Sequence, residues 1–352
     1  MKSYLFFTFL LLLSACSEPS AENDVSSKAK QSNTEVTAPD TSNFDLITYC
    51  VENKDRVALN LVYNDINLAS LNGNDAIASG KLPLTFIAIE LLRKSIDNED
   101  YLETSADSSV LMNFPTQRNA SPLEFPVSNR ELLKLLVEEG SLQAADYFIE
   151  ELGFDVLNAR PAKLGMRHHQ LLIPFAGSFS FSHRQERFRS LDFGTYRDSS
   201  IQTHKNFASG IIQKGSYDLG ANPDLDKIWV EHLPKSNVKD YTKMMQEITN
   251  DSLPQELNEL IKKEIEFSFI QEENERELER YFKLSSDFPS QLNHMVYLKD
   301  TEEVRLQLAF SFSNVHPTEN AALKTAISGL EFRLKNDETY RRKFMDSFAK
   351  IQ

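Results

Sequence analysis

The sequence predicts a mostly α fold, with stacked helical hairpins first and a mixed α/β, helix-rich region after them. Three observations support this. Residues 44–67 and 130–158 each divide into two short segments of apolar periodicity around a polar break. Pro83 and Pro122 stand where helices would open. Beyond Pro161 the texture changes to a Phe- and Ser-rich stretch, then a glycine-punctuated one, before helical periodicity returns near Val238.

A separate segment precedes these elements. Tyr4 to Ala15 is almost wholly apolar behind a single cation, Lys2. It is shorter than the roughly 20 apolar residues that cross a bilayer. A positive start, a short apolar centre and small residues at its end describe a secretory signal peptide, residues 1–15. Leu13-Ser14-Ala15-Cys16 resembles the lipobox of bacterial lipoproteins. That resemblance implies a thioether to diacylglycerol at Cys16, cleavage before it, and acylation of the new amino group. Ser17 in place of Asp implies retention in the outer membrane of a Gram-negative bacterium, facing the periplasm. Several acyl chains, at about 0.8 kcal/mol per buried CH₂, would make a lasting anchor. Residues 17–43 hold no aromatic side chain, and Val25 and Val36 are their only aliphatics beyond Ala. Such a stretch cannot bury enough surface to order itself. With Cys16 it reads as a lipidated tether, residues 16–43, with a reach of roughly 30 Å.

Residues 44–176 are expected to form the helical repeats. The halves of 44–67 meet around Glu52-Asn53-Lys54-Asp55 and those of 130–158 around Gly140-Ser141. In the second, Leu132, Leu133, Leu135 and Leu136 form one stripe, and Leu142, Ala145, Phe148, Ile149 and Leu152 another. Gly153 stands where a left-handed C-cap is wanted. This hairpin resembles an ankyrin repeat in its Gly140-Ser141-Leu142 turn and its Gly153-Phe154-Asp155-Val156 ending. Gly80 to Ala88 and Ser121 to Phe125 resemble the opening of that repeat, with Pro in the first turn where a missing N–H costs nothing. Thr85 and Glu124 depart from the family's His, and a polar insertion from about Asp97 to Ala120 breaks the period. The resemblance implies a solenoid that binds through an extended surface.

Residues 177–352 are expected to form the mixed α/β domain. Phe179-Ser180-Phe181-Ser182 alternates like a strand. Residues 251–284 read as helical, with Ser252 as N-cap, Pro254 in the first turn, and Glu259–Lys263 and Glu272–Arg276 as i,i+4 pairs. Val304 to Phe310 alternates as a strand, and Asn320 to Leu334 reads as one helix.

No catalytic signature emerges. His168 and His169 point apart on any regular element, no His-Glu-x-x-His occurs, and Cys50 is the only cysteine besides Cys16. No metal or other cofactor is therefore expected, and Cys50 reads as a core thiol. Gly210, Gly215 and Gly220 lack the Lys and Ser/Thr that must follow a phosphate loop's last glycine. Asn222 to Asp226 resembles the start of a calcium loop. Its sixth and twelfth positions, however, are Lys227 and Leu233 rather than Gly and Glu. Ser178, Ser180 and Ser182 have no nucleophile setting, and Trp229 reads as a core aromatic.

The formal charge of −14 becomes −15 once Lys2 leaves with the signal. That excludes a nucleic-acid surface and favours a protein partner with a basic surface. The expected function is thus protein binding at the envelope through ankyrin-like repeats, such as an immunity protein neutralising a toxin, rather than catalysis. The alternatives are a divergent envelope hydrolase with its site around residues 171–229, or a structural outer-membrane lipoprotein.

Overall fold

The computed structural model describes residues 44–112, 125–183, 193–200, 202–204, 206, 222–272 and 277–349. Cys16, the signal segment, the tether and the three glycines at 210, 215 and 220 lie outside these described residues.

The strands are β1 (Val57–Tyr63), β2 (Ile66–Leu71), β3 (Ile77–Ala78), β4 (Lys235–Ser236), β5 (Leu278–Phe288), β6 (Gln291–Asp300) and β7 (Arg305–Ser313). Five of them form one antiparallel sheet in the order β2-β1-β7-β6-β5, and β3 pairs with β4 in a small ribbon. The sheet thus joins two strands from the start of the described chain to three from near its end.

This overturns the stacked-hairpin fold and the ankyrin resemblance. The helix α1 (Leu46–Glu52) is the only α-helix in residues 44–67, and the expected second helix is β1 with the start of β2. The cause is burial on both faces. Val57 to Val62 are all buried, so β1 carries a near-continuous apolar run instead of a strand's usual alternation. Asn64 and Asp65 then adopt φ +47° and +64°, the paired left-handed conformation of a tight hairpin turn.

The helices that the sequence does announce pack in a cluster rather than a solenoid. The central one is α2 (Leu84–Asp97), with Leu84, Phe86, Ile87, Ala88, Ile89, Leu91 and Leu92 all fully buried. Around it stand α4 (Asn129–Val137), α5 (Leu142–Leu152) and α6 (Phe154–Lys163), while a short α3 (Ser108–Leu111) touches α5. Ser128 and Glu131 close a capping box on α4 and Ser141 caps α5, whereas Gly153, at φ +89° and ψ 135°, joins α5 to α6 without the left-handed C-cap expected there.

After α6, the expected strand at Phe179–Ser182 is part of a helix, α7 (Phe175–His183). Four alternating residues are too few to outweigh a good helix start. Asp146 of α5 accepts the N–H groups of Phe175 and Ala176 at 2.6 and 2.8 Å, which supplies that start. Then come α8 (Phe193–Arg197), α9 (Pro223–His232) and α10 (Val238–Thr249). The last lies across β1, β6 and β7 and ties the helical cluster to one face of the sheet.

Residues 251–284 are not one helical region. α11 (Gln255–Ile261) has Pro254, not Ser252, at its N-cap position. A π-helical turn at Lys262–Glu266 leads into α12 (Phe267–Glu272), and from Leu278 the chain is β5. Lys263 bonds Glu264 instead of Glu259, and Arg276 lies outside the described residues. The strand read at Val304–Phe310 is β7. The helix read at Asn320–Leu334 breaks at Gly329, φ +70°, into α13 (Pro317–Ile327) and α14 (Leu330–Asn336). With α15 (Glu338–Ala349) and α1 these cover the other face of the sheet.

Candidate functional site

Strand β5 lies at the edge of the sheet, where alternate backbone N–H groups have no neighbouring strand. It turns into β6 through Pro289-Ser290. Pro289 presets its φ, and Ser290 takes the left-handed value of +63° that such a turn needs. The turn pairs Phe288 with Gln291, and the register then sets Ser285 opposite His294.

Successive strand side chains point to opposite faces. Ser285 and Asp287 are exposed on the face toward α13, whereas Leu284, Ser286 and Phe288 are buried on the other. Ser285 Oγ lies 2.8 Å from His294 Nδ1, within reach for a direct proton transfer. His294 is only 4 % exposed, and its Nε2 has no hydrogen-bond partner among the described residues. Burial pushes the imidazole pKa down to about 4, with the nearby Lys283 cation acting the same way. The ring is therefore neutral at physiological pH. Two residues along, Asp287 is held by Lys324 and by Asn320 Nδ2 at 2.8 Å, and lines a recess of about 260 Å³ with Pro289, Val315 and Pro317.

On the opposite face of β5, Ser286 Oγ accepts the N–H of Lys81 at 2.9 Å, in the turn that leads into α2. Gly80 makes this approach possible, since a Cβ there would lie 2.2 Å from Ser286 Oγ. The half-buried Lys81 side chain runs past Gly140, where a Cβ would come within 3.1 Å of Nζ. Burial lowers the pKa of this ammonium, and Asp287 partly offsets the shift. The helix start, the turn before α5 and the edge strand thus converge on the face of β5 opposite the hydroxyl–imidazole pair.

The residues picked from sequence lie elsewhere. Ser178 is fully buried, donates to the Phe175 carbonyl and accepts from Trp229 Nε1 at 2.9 Å. Trp229 is a core residue set edge-on to Phe179 and Phe288. Ser182 is also fully buried. His168 and His169 diverge. The first bonds Asp240, and the second is half-buried against Phe86 and Tyr241, where loss of solvent pushes its pKa down to about 4. His183 Nε2 lies 3.0 Å from Asp226, and Asn222 caps α9, so the resemblance to a calcium loop is a helix start. Cys50 is buried, and burial raises its thiol pKa strongly. Among the described residues no group of three His, Cys, Asp or Glu side chains could hold a metal ion. Sequence reasoning missed Ser285 and His294, which become neighbours only once Pro289-Ser290 is read as a two-residue turn.

No family model matches the sequence, and no curated protein matches it either. Solved structures do. The chain superimposes on a class A β-lactamase from Bacteroides cellulosilyticus with TM-score 0.53 and 14 % identity, covering 83 % of this chain and 98 % of that one. A β-lactamase from Sphaerobacter thermophilus gives TM-score 0.52 at 14 % identity, covering 81 % and 95 %. The extended-spectrum β-lactamase TLA-3 gives 0.50 at 11 %, covering 78 % and 90 %. The fold is that of the β-lactamases. This removes the basis for an ankyrin-type immunity protein with a basic protein partner, because the concave repeat surface that was to bind it does not exist.

The class A reaction relies on Ser-x-x-Lys, Ser-Asp-Asn and Lys-Thr-Gly. Ser-Asp-Asn and Lys-Thr-Gly occur nowhere in this sequence. Ser-x-x-Lys occurs at Ser27–Lys30 and at Ser347–Lys350, the latter in the last helix, with Ser27, Lys30 and Lys350 outside the described residues. It also occurs at Ser236–Lys239, where Ser236 is buried beside Asp240. The turn into α2 reads Ser79-Gly80-Lys81-Leu82 instead.

Proposed function

We propose that this chain is a divergent hydrolase that opens ester or amide bonds through Ser285 and His294. The carrying observation is the 2.8 Å contact between an exposed serine hydroxyl and a buried neutral imidazole on an edge strand. Support at the level of fold comes from the β-lactamases, which are hydrolases, while the missing Ser-Asp-Asn and Lys-Thr-Gly argue that the nucleophile has moved.

In the proposed cycle Ser285 Oγ attacks the carbonyl carbon as its proton passes to His294 Nδ1. The C–Oγ bond forms, the bond to the leaving group breaks, and the imidazolium returns its proton to the leaving atom. Water then repeats the sequence and releases Ser285. Outward N–H groups of β5 would receive the developing oxyanion. An imidazole of pKa about 4 is always in its basic form at pH 7 but has little driving force to take a proton. Turnover should therefore be slow. The envelope location rests on the lipobox-like sequence ending at Cys16 alone.

A second reading, retention of a carbonyl compound without turnover, is favoured by the absence of the class A motifs. One experiment addresses both. Purified full chain is assayed against chromogenic carboxylic esters, anilides and a chromogenic β-lactam, beside Ser285→Ala. Loss of about 100-fold or more in kcat/KM for the variant supports the hydrolase. Equal activity in the variant overturns it, and binding without turnover selects the second reading.

A further inference from the structure

Apart from the edge-strand pair, the described residues border a half-open pocket of about 190 Å³ between α9, the β3–β4 ribbon and the ends of β6 and β7. Its wall is polar. Lys227 of α9 and Lys235 of β4 line it. Ser311 is 2 % exposed and Gln291 is 5 % exposed, and both border the space. Gln291 donates through Nε2 to the Ala78 carbonyl, whereas its Oε1 is buried with no partner. Ser290, Ser313 and Asn314 also line it, and Glu231 is the one carboxylate among the described lining residues.

A buried acceptor without a donor is costly, so Gln291 Oε1 calls for a ligand O–H or N–H. Serine hydroxyls can donate or accept, and a polyol matches them in both senses. Two lysines and one glutamate leave a net charge of +1 at the rim, which suits a monoanion better than a dianion. The volume is below the roughly 300–1,000 Å³ of drug-sized sites, which leaves room for a single small ring.

We propose that this cavity binds a sugar acid, a monosaccharide carrying one carboxylate, with the carboxylate between Lys227 and Lys235 and a ring hydroxyl donating to Gln291 Oε1. The site does not depend on the hydrolase reading, since it uses neither Ser285 nor His294.

The test is isothermal titration of the full chain with glucuronate, beside glucose, acetate and glucose 6-phosphate. The account expects saturable glucuronate binding, weakened about tenfold or more in Lys227→Met and in Ser311→Val, with acetate and glucose both weaker. Lys227 is exposed, so its variant should fold like the parent. No glucuronate binding at about 50 mM would overturn the proposal. So would unchanged affinity in both variants, or tighter binding of the dianionic sugar phosphate.

Discussion

Arg280 and Glu266 form an ion pair in which neither side chain is exposed: Nε donates to Oε2 at 2.8 Å and Nη2 to Oε1 at 2.8 Å. Tyr297 also donates to Glu266 at 2.6 Å, and Arg280 Nη1 reaches the Ile248 carbonyl and Asp251. Glu266 sits on the π-helical turn at 262–266, and Arg280 on β5. The pair thus pins the helical cluster to the first half of the edge strand, leaving the second half, with Ser285, open.

Removing one partner of a buried pair strands the other charge. Arg280→Met should therefore lose about 3–5 kcal/mol in urea unfolding. Adding Glu266→Leu to Arg280→Met should recover much of that loss, because the one carboxylate then left without Arg280 is Asp251, which is exposed. A single-variant loss under about 1 kcal/mol would contradict this pairing.

Gly80 should tolerate no side chain. It combines φ +56° with a Cβ position 2.2 Å from Ser286 Oγ and 3.0 Å from Asn293 Nδ2. Gly80→Ala is expected to cost about 2 kcal/mol in thermal or urea unfolding. Adding Ser286→Ala should return part of it by removing the closest atom. No recovery in the double variant would show that the backbone conformation alone sets the cost.

Acid should destabilise the protein in a defined window. His169 and His294 have pKa values lowered by burial from 6.5 to about 4. A group whose folded pKa is depressed contributes its full stability above the unfolded value and loses it as pH falls toward the folded one. Each ring then accounts for roughly 3 kcal/mol lost between pH 6.5 and 4. Asp146 works in the opposite sense. Burial raises its pKa from 3.8 to about 7, so it loses stability as pH rises across that range. Urea midpoints measured from pH 4.5 to 7.5 should fall on the acid side. The fall should be shallower in His294→Asn and steeper in Asp146→Asn. Parallel profiles for all three proteins would contradict both assignments.

Local helix chemistry was legible in the sequence. The Gly140-Ser141 turn and the helix after Pro83 stand at the positions the sequence predicts, and the chain breaks at Gly153 without the left-handed cap conformation expected of it. What misled was inferring a repeat from one well-formed hairpin. Gly-turned helix pairs recur in many folds, and only their packing partners distinguish them. β1 was hidden because burial on both faces removed its alternation. β5 was read into a helical region because Ile261 to Leu284 carries apolar residues at both periods. The site was lost with it, for Ser285 and His294 are nine residues apart and face each other only through the register that Pro289-Ser290 imposes.

If Ser285 is the nucleophile of the proposed hydrolysis, the imidazole of His294 at 2.8 Å must serve it as base. Treating the full chain with a fluorophosphonate and mapping the adduct by peptide mass spectrometry tests it most directly. The account predicts one adduct, on Ser285, forming at a rate that rises through pH 4 and is level from about pH 5 to 8. It predicts no adduct in Ser285→Ala and a reaction slowed at least about tenfold in His294→Asn. An adduct on another residue, or labelling of Ser285→Ala at the parent rate, would contradict it.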